Sequence, residues 1–240
     1  MSARKAIFIT GAASGIGLAS AKRFAAEGWF VGLADIDEAG LTRALAEIGG
    51  AEHGSIHPLD VRDREAWPPA LSAFTGRTDG RLDMLFNNAG VARFGPFSES
   101  DPEGDDLMLA VNVRGVFAAI HYAAPHLADG GRVIVIGSNT AERIGGPGSS
   151  VYAMTKAAVA QLARGAALDF APRRITVNTI QPGPIATDMT ADLMDYITPR
   201  LPLGRIGEAS EVAGLAAWLA GPDAGYVTGA ALTIDGGWSA

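Results

Sequence analysis

The sequence contains no cysteine, which excludes disulfide bonds, thiolate nucleophiles and cysteine-ligated metals. No apolar run is long enough to span a bilayer, and the run that follows the basic N-terminal residues stops at Gly11, too early for the core of a signal peptide. We therefore predict a cytoplasmic protein with no membrane partner. Histidine is scarce and follows no metal-ligand spacing, so no metal site is predicted. The four histidines are His53, His57, His121 and His126.

Positive charge is also in short supply. The formal net charge is −7 and the isoelectric point is about 5.1, which argues against nucleic acid or an anionic membrane as a partner. The chain has 240 residues, of which 48% are hydrophobic and 19% charged. These values are ordinary for a globular protein and predict one α/β domain over residues 1–240.

Short β-branched segments alternate with alanine-rich segments along the chain. The predicted strands cover 6–10, 30–35, 55–60, 82–87, 132–137, 175–180 and 231–235. The predicted helices begin near Gly15, Glu38, Arg62, Asp105, Ser149 and Ser210. Apolar strands that are each followed by a crossover helix form a parallel sheet covered on both faces. The predicted fold is α/β, a doubly wound Rossmann fold in a single domain with a seven-stranded parallel sheet.

The region from Pro182 to Gly207 shows no strand pattern and is rich in proline, glycine, methionine and threonine. Ligands of doubly wound sheets bind beyond the carboxyl ends of the strands. An insertion at that edge predicts a mobile substrate lid over about 184–207.

A glycine-rich loop, T-G-A-A-S-G-I-G, links the first strand to the first helix at 10–17. Glycines in such a turn let the backbone approach a pyrophosphate and direct helix N-terminal N–H groups at its charge. A tight turn that binds nothing is the alternative. The strand before it, the helix after it and an acidic residue about twenty positions on favour a dinucleotide site.

That acidic residue, Asp35, ends the second strand. A carboxylate there accepts hydrogen bonds from ribose hydroxyls and repels a 2′-phosphate, so NAD is favoured over NADP. Asp35 could also cap the next helix, although Asp37 is better placed for that role.

Tyr152 and Lys156 lie four residues apart on a predicted helix and therefore share one face. A fixed positive charge beside a phenol favours the phenolate and lowers its pKa, so the pair can move protons. The same spacing also occurs on solvated helix faces.

Further motifs follow the later strands. They are Leu59-Asp60-Val61, Asn87-Asn88-Ala89-Gly90, Asn112 in V-N-V-R-G, Ser138, Tyr152-x-x-x-Lys156, and Pro182-Gly183 with Thr187. With the glycine loop, these motifs resemble those of the short-chain dehydrogenase/reductase family over nearly the whole chain. The resemblance implies the Rossmann fold described above and an oxidoreductase that transfers a hydride between NAD(H) and a secondary alcohol or ketone.

The resemblance also implies catalytic roles. Tyr152 would act as general acid or base on the substrate oxygen, and Lys156 would hydrogen-bond the nicotinamide ribose and lower the tyrosine pKa. Ser138 would donate to the substrate oxygen as its charge develops. Asn112 would hold a water in the proton path, unless it is only a helix-interior amide bonded to backbone.

For the cofactor, the resemblance places the adenine at Asp60 and the main chain of Val61, and the carboxamide at Thr187. The turn at Asn88 would shape the floor of the site and tie strand ends together. The implied cofactor-binding residues are Gly11, Ser14, Gly15, Ile16, Gly17, Asp35, Ile36, Asp60, Val61, Asn88, Ala89, Gly90, Tyr152, Lys156, Pro182, Gly183, Ile185 and Thr187.

The chain departs from the family pattern at the serine. Many members carry it thirteen residues before the tyrosine, where this chain has Asn139. Ser138 is one position earlier, and a longer following loop could absorb the shift, so we assign the role to Ser138. Ser149 and Ser150 are interpreted as helix caps.

The family commonly forms dimers of dimers, so a homotetramer is expected. Small residues that would allow close helix approach are Ala157, Ala158, Ala160, Ala163, Gly165 and Ala166. The expected partners are therefore a small-molecule alcohol or ketone and further copies of the chain.

The predicted substrate pocket is mostly apolar and suits a medium-sized hydrophobic or cyclic alcohol or ketone. Its expected lining is Arg93, Phe94, Phe97, residues 142–144, Ile185, Met189, Leu193, Met194 and Tyr196. The lid methionines and leucine could equally just cover the cofactor.

Two alternative functions remain. The first is a 3-oxoacyl-carrier-protein-type reductase, for which Arg173 and Arg174 could dock the carrier although Asp129 lies nearby. The second is a non-catalytic dinucleotide-binding sensor or scaffold.

Overall fold

The seven strands form one fully parallel sheet, as predicted. The structure is a computed structural model that describes residues 4–144 and 146–240, without the side chains of 192–194. The strands are β1 (Ala6–Thr10), β2 (Phe30–Asp35), β3 (Gly54–Pro58), β4 (Leu82–Asn87), β5 (Leu127–Ile136), β6 (Thr176–Pro182) and β7 (Ala231–Ile234). Their order is β3-β2-β1-β4-β5-β6-β7, so the direction of winding reverses beside β1. The doubly wound Rossmann topology is confirmed.

Helices cover both faces of this sheet. They are α1 (Gly15–Ala26), α2 (Glu38–Glu47), α3 (Trp67–Thr75), α4 (Pro102–Met108), α5 (Val116–Ala123), α6 (Ser150–Phe170), α7 (Met194–Ile197) and α8 (Ala209–Ala220). A π-helix, Leu109–Gly115, joins α4 to α5 without a break.

Alternate residues of each central strand enter two separate hydrophobic clusters. On β1, Phe8 packs with Trp67 of α3 and the inner faces of α5 and α6. Its neighbour Ile9 packs with Phe24 of α1 and the inner faces of α2 and α8. Because strands buried on both faces need apolar residues at every position, their sequences read as continuous hydrophobic runs.

The predicted bounds of β1, β2 and β4 are confirmed, whereas β5 begins five residues earlier than predicted. Its first residue Leu127 pairs with Leu82, and the register then shifts before Arg132 pairs with Met84. Gly130 takes φ +76° within this irregularity. The sequence A-D-G-G at 128–131 therefore resembles a turn, although β5 continues through it.

The start predicted for α3 near Arg62 was wrong. The helix begins at Trp67 because the preceding residues form turns closed by aspartates. The amide of Asp63 donates to the carbonyl of Asp60, and the amide of Glu65 donates to the Asp63 carboxylate. The helix predicted to begin near Asp105 instead begins earlier, at Pro102, with a proline in its first turn.

Both ends of the predicted lid are fixed at the edge of the sheet. Ile185 forms a β-bridge with Gly207, and the amide of Ala186 donates to the Gly207 carbonyl at 2.8 Å. Between them the chain forms two 3₁₀ segments and the short helix α7. The insertion therefore leaves the sheet at Ile185 and returns to it at Gly207. That it is mobile stays a prediction.

Candidate active site

The glycine loop packs too tightly for side chains at two of its positions. Gly11 takes φ +66°, and a Cβ there would lie 2.8 Å from the side-chain nitrogen of Asn88. A Cβ on Gly17 would lie 2.0 Å from the Gly11 carbonyl. Asn88 donates to the carbonyls of Thr10 and Gly11 at 3.0 and 2.9 Å, so it ties β4 to the loop. Gly17 thus serves the packing of α1. It was predicted to bind the cofactor, but it does not line the cleft.

The N-terminus of α1 has no side-chain cap. Ser14 occupies the N-cap position without a capping hydrogen bond, and both Ser14 and Gly15 line a large cleft. The first N–H groups of any α-helix lack partners within the helix. Together with the helix dipole, these groups attract an anion to this end of the cleft.

Asp35 holds the loop in place from the end of β2. Its carboxylate accepts hydrogen bonds from the amides of Ala13 and Asp37, each at 3.1 Å. Asp37 caps α2 by accepting from the Gly40 amide at 2.9 Å, so its predicted capping role is confirmed. Asp35 still faces the cleft, and each of its oxygens retains a further lone pair.

Asp60 is engaged by a residue that the sequence analysis did not single out. Both of its oxygens accept from the guanidinium of Arg62, at 2.6 to 2.9 Å. The Arg62 hydrogen bonds outweigh the effect of burial and lower the pKa of Asp60. An adenine amino group predicted to bind Asp60 must therefore share the carboxylate with Arg62, which also lines the cleft.

Tyr152 and Lys156 lie on the cleft side of α6. The ammonium of Lys156 is buried and donates to the carbonyl of Ile136 at 2.9 Å. Burial lowers the pKa of Lys156 to about 8. Burial raises the pKa of Tyr152 to about 12, and a hydrogen bond with Ser138 opposes part of that rise. The prediction that Lys156 lowers this pKa was wrong for this structure, because burial dominates and Lys156 is not among the causes of the shift. In the unliganded protein, therefore, the tyrosine is protonated at neutral pH and is an acid ready to donate.

Ser138 lies two residues after the end of β5 and forms a hydrogen bond with Tyr152. Its hydroxyl accepts from the amide and the hydroxyl of Thr140, at 3.2 and 2.9 Å. Asn139 instead turns toward the segment after β7, where its amide nitrogen donates to Asp235 at 3.3 Å. Of the two candidates, Ser138 is thus the one in contact with the tyrosine. Ser149 holds the N-cap position of α6, as predicted, but makes no capping hydrogen bond.

Asn112 lies in the π-helix, and its side chain is fully buried behind the cleft. It accepts from the amide of Val91 at 2.9 Å, donates to the Val91 carbonyl at 2.8 Å, and donates to Thr155 at 3.1 Å. This arrangement matches the alternative interpretation, an interior amide bonded to backbone. A Cβ on Gly90 would lie 3.4 Å from both the Asn112 oxygen and the Lys156 nitrogen, so both atoms border the space beside Gly90.

The cleft has a volume of about 910 Å³ and runs along the carboxyl edge of the sheet. All the predicted cofactor residues line it except Gly17. It is also lined by Arg200 and Trp238, neither of which was predicted to lie there. Arg200 lies in the lid region and stacks on the ring of Tyr196 at 3.7 Å from its centroid.

The predicted substrate lining is only partly correct. Phe94, Ile185, Met189 and Tyr196 line the cleft, and the Phe94 ring meets the Tyr152 ring at 5.6 Å between centroids. Three other predictions fall outside the lining, namely Arg93, Phe97 and residues 142–144. Leu193 and Met194 lie outside the described side chains.

The small residues predicted for helix packing divide between two faces of α6. Ala157, Ala158 and Gly165 are exposed. The other three, Ala160, Ala163 and Ala166, are buried within the chain, so only the exposed three are available to a helix of another copy, and that contact stays a prediction.

Within 4–144 and 146–240 no helix is both long and apolar enough to cross a membrane. The same residues contain no group of three or more side chains suited to hold a metal ion.

Comparisons with known proteins give a consistent result. A family model described as Enoyl-(Acyl carrier protein) reductase matches residues 11–239. A 2,5-dichloro-2,5-cyclohexadiene-1,4-diol dehydrogenase from Sphingobium indicum is 40% identical over 99% of this chain and 97% of its own. A galactitol 2-dehydrogenase from Cereibacter sphaeroides is 38% identical over 96% and 93%. A cyclic-di-GMP-binding biofilm dispersal mediator protein from Escherichia coli is 37% identical over 98% of both chains.

Solved structures agree with this one over nearly the whole chain. A short-chain dehydrogenase/reductase from Serratia marcescens has a TM-score of 0.93 and 42% identity, covering 99% of each chain. A short-chain dehydrogenase from Burkholderia cenocepacia in complex with NADP has a TM-score of 0.92 and 37% identity, covering 98% of each.

Proposed function

Because the chain belongs to the short-chain dehydrogenase/reductase family, we propose that it transfers a hydride between NAD(H) and a secondary alcohol or ketone. The observation that carries this proposal is the convergence of Ser138, Tyr152 and Lys156 on one wall of the cleft that begins at the glycine loop. The dehydrogenase names of several relatives support the same reaction class.

The cleft suits a nicotinamide dinucleotide. The uncapped N-terminus of α1 provides N–H donors for a pyrophosphate, and Gly11 leaves the loop backbone bare. Asp35 lies where a ribose binds in this fold and would repel a 2′-phosphate, which supports NAD over NADP. The NADP complex of the Burkholderia relative makes this preference a point to be tested. When bound, the cofactor supplies the hydride donor or acceptor.

Tyr152 handles the proton. With a pKa of about 12, its phenol keeps the proton at neutral pH and donates it to the oxygen of a ketone as that oxygen gains negative charge. In the reverse direction the phenolate accepts the alcohol proton. The Lys156 ammonium lies 5.6 Å from the centre of the Tyr152 ring and stabilises the phenolate that forms.

Ser138 supports the same oxygen. Its hydroxyl is oriented by Thr140, which donates to it through both its amide and its hydroxyl. The Ser138 hydroxyl donates to the side-chain oxygen of Asn139 at 3.4 Å, a long contact that a substrate oxygen can replace. Donation to the substrate oxygen would stabilise its developing charge. Asn112 fixes α6 against the turn at Val91 through Thr155. Its side-chain oxygen keeps one lone pair, and we propose that this lone pair holds the water of a proton relay behind Lys156.

The substrate end of the cleft is rich in apolar and aromatic side chains, among them Val91, Phe94 and Leu107. We propose a medium-sized hydrophobic or cyclic alcohol or ketone as substrate. The ring-shaped diol in the name of the Sphingobium relative supports this class.

The alternatives rank lower. Arg173, one of two residues expected to dock an acyl carrier protein, is instead paired with Asp129 at 2.9 Å and donates to the carbonyls of Ala124 and Leu127. The name of the E. coli relative is consistent with a purely non-catalytic sensor. Such a role would not require the serine, tyrosine and lysine that line this cleft.

We also propose that the protein is cytoplasmic and forms a homotetramer.

The test is turnover. Purified protein is assayed with NADH or NADPH against cyclic ketones and diketones, following the absorbance of the reduced nicotinamide. Tyr152→Phe is the diagnostic variant, and Tyr226→Phe, at a fully exposed tyrosine outside the cleft, is its control. Turnover that is lost only in Tyr152→Phe supports the proposal. Equal turnover in both variants would remove Tyr152 from its role.

A further inference from the structure

The segment that follows β7, residues 235–240, crosses from the sheet to the loop after β5. Asn139 donates its side-chain amide to the Asp235 carboxylate at 3.3 Å and to the Ser239 hydroxyl at 3.1 Å. The Asp235 carboxylate also accepts from the amides of Gly237 and Ser239, at 3.0 and 2.9 Å. Arg143 donates to the Ser239 carbonyl at 2.8 Å. The segment is therefore held beside the residue that follows Ser138.

The other side of this segment rests on the far end of the lid. The amide of Leu203 donates to the Gly236 carbonyl at 3.2 Å. Gly236 and Gly237 both take positive φ, +63° and +85°. A Cβ on Gly237 would lie 3.2 Å from the ring of Pro202. The two glycines let the chain turn closely over the lid, and the turn carries Trp238 into the cleft.

Trp238 lies at the substrate end of the cleft, as its neighbouring contacts indicate. Its neighbours in the chain bind the loop beside Ser138 on one side and the lid at 201–203 on the other. The cofactor loop and Asp35 belong to the opposite half of the sheet, on β1 and β2. An indole covers more area than any other side chain and loses little conformational freedom when it is held.

We propose that Trp238 is a specificity-determining residue that closes the substrate end of the cleft, and that Asn139 is the positioning residue that holds it there. This inference rests on the proposed function. The wall excludes alcohols and ketones with a bulky substituent beyond the ring that carries the reacting carbon, and it admits compact cyclic ones. The departure of this chain at Asn139, where many family members have the serine, thereby acquires a role.

The test compares kcat/KM for cyclohexanol, 2-decalol and 4-phenylcyclohexanol in wild type, Trp238→Phe and Trp238→Ala. The measured quantity is the specificity ratio, kcat/KM for 4-phenylcyclohexanol divided by kcat/KM for cyclohexanol. Removal of the indole in Trp238→Ala is expected to raise this ratio about tenfold or more, and Trp238→Phe should give an intermediate value. Trp218→Ala is the matched control, because that tryptophan lies on α8 outside the cleft. An unchanged ratio in both Trp238 variants would overturn the inference and leave the proposed function standing.

Asn139 is tested through the same ratio. Asn139→Ala removes two hydrogen bonds to the segment, so the ratio is expected to shift in the same direction as in Trp238→Ala, through KM for the bulky alcohol. The double variant should show no further shift, because Asn139 acts through Trp238. Additive effects would overturn the positioning role. If wild type oxidises none of the three alcohols with NAD or NADP, the proposed function fails and the inference falls with it.

Discussion

The ammonium of Lys156 is anchored to the carbonyl of Ile136 at 2.9 Å while it lies 5.6 Å from the centre of the Tyr152 ring. The anchor links α6 to the end of β5, two residues before Ser138. The three groups that would perform proton transfer are therefore held by α6 and by the end of β5 with the residues after it, two adjacent segments that this hydrogen bond joins. Their spacing depends on the sheet rather than on the lid.

The reduction of a ketone should fall above about pH 8. Tyr152, with a pKa of about 12, keeps its proton far beyond neutrality, so the first group to titrate is Lys156, with a pKa of about 8. Its positive charge is present below that pH and is lost above it. The profile of kcat/KM for reduction between pH 6 and 10 tests this. In Lys156→Arg, where the cation does not titrate, any remaining activity should lose the alkaline limb. A wild-type profile that stays flat to pH 10 would contradict the assignment.

Asp35 should control the choice of cofactor. We expect NADH to bind more tightly than NADPH, and Asp35→Asn to narrow the difference about tenfold, or ~1.4 kcal/mol, because the charge facing a 2′-phosphate is removed. Fluorescence titration of both reduced cofactors measures it. Asp37→Asn, which alters the cap of α2 and the pairing of Asp37 with Arg43 but leaves Asp35 charged, is the control. Tighter NADPH binding by the wild type would show that Asp35 does not discriminate.

Gly17→Ala should cost stability and cofactor binding together. The added Cβ would meet the Gly11 carbonyl at 2.0 Å and the Asn88 amide at 2.7 Å, so the loop must move. Overpacking of this kind typically costs about 1–3 kcal/mol. Gly214→Ala, in α8 where a Cβ meets nothing within 4 Å, is expected to leave stability equal or raise it. Urea unfolding compares the two, and equal effects would contradict the packing role of Gly17.

The buried His57 should make the protein less stable in acid. Burial, aided by the charge of Arg77, lowers its pKa to about 4 from 6.5. The unfolded chain thus binds a proton in this range that the folded protein does not, so stability falls as the pH drops from 6.5 toward 4. Its share is roughly 2 kcal/mol between pH 7 and pH 5.

Urea unfolding at pH 7 and pH 5 measures this effect. His57→Gln should lose that part of the pH dependence, and His121→Gln, at an exposed position, should keep it. Identical slopes in all three proteins would remove His57 as the cause.

The fold was largely predictable because its signals are local. The apolar runs of β1, β2 and β4 have sharp ends, and the glycine loop marks the first turn. The sequence pattern was misleading where side chains replace propensity, as in the aspartate-closed turns before Trp67, or where a strand continues through glycines, as in β5.

The candidate site was predictable where a motif carries its own geometry, as the spacing of Tyr152 and Lys156 does. It was not predictable where distant segments meet. Trp238 lines the cleft in a segment that contacts Asn139 and the lid, and Arg62 pairs with Asp60. Such contacts join residues far apart in sequence or depend on a side-chain rotamer. Neither kind of contact produces a periodic pattern in the sequence from which it could be predicted.

Because the β-bridge between Ile185 and Gly207 fixes both ends of the insertion, residues 188–206, beyond the predicted carboxamide contact at Thr187, can vary as one unit. Mutations accumulated between these two anchors can reshape which molecules are admitted without disturbing the strands that carry the chemistry. A scaffold with this layout can acquire new substrates quickly while its reaction stays the same.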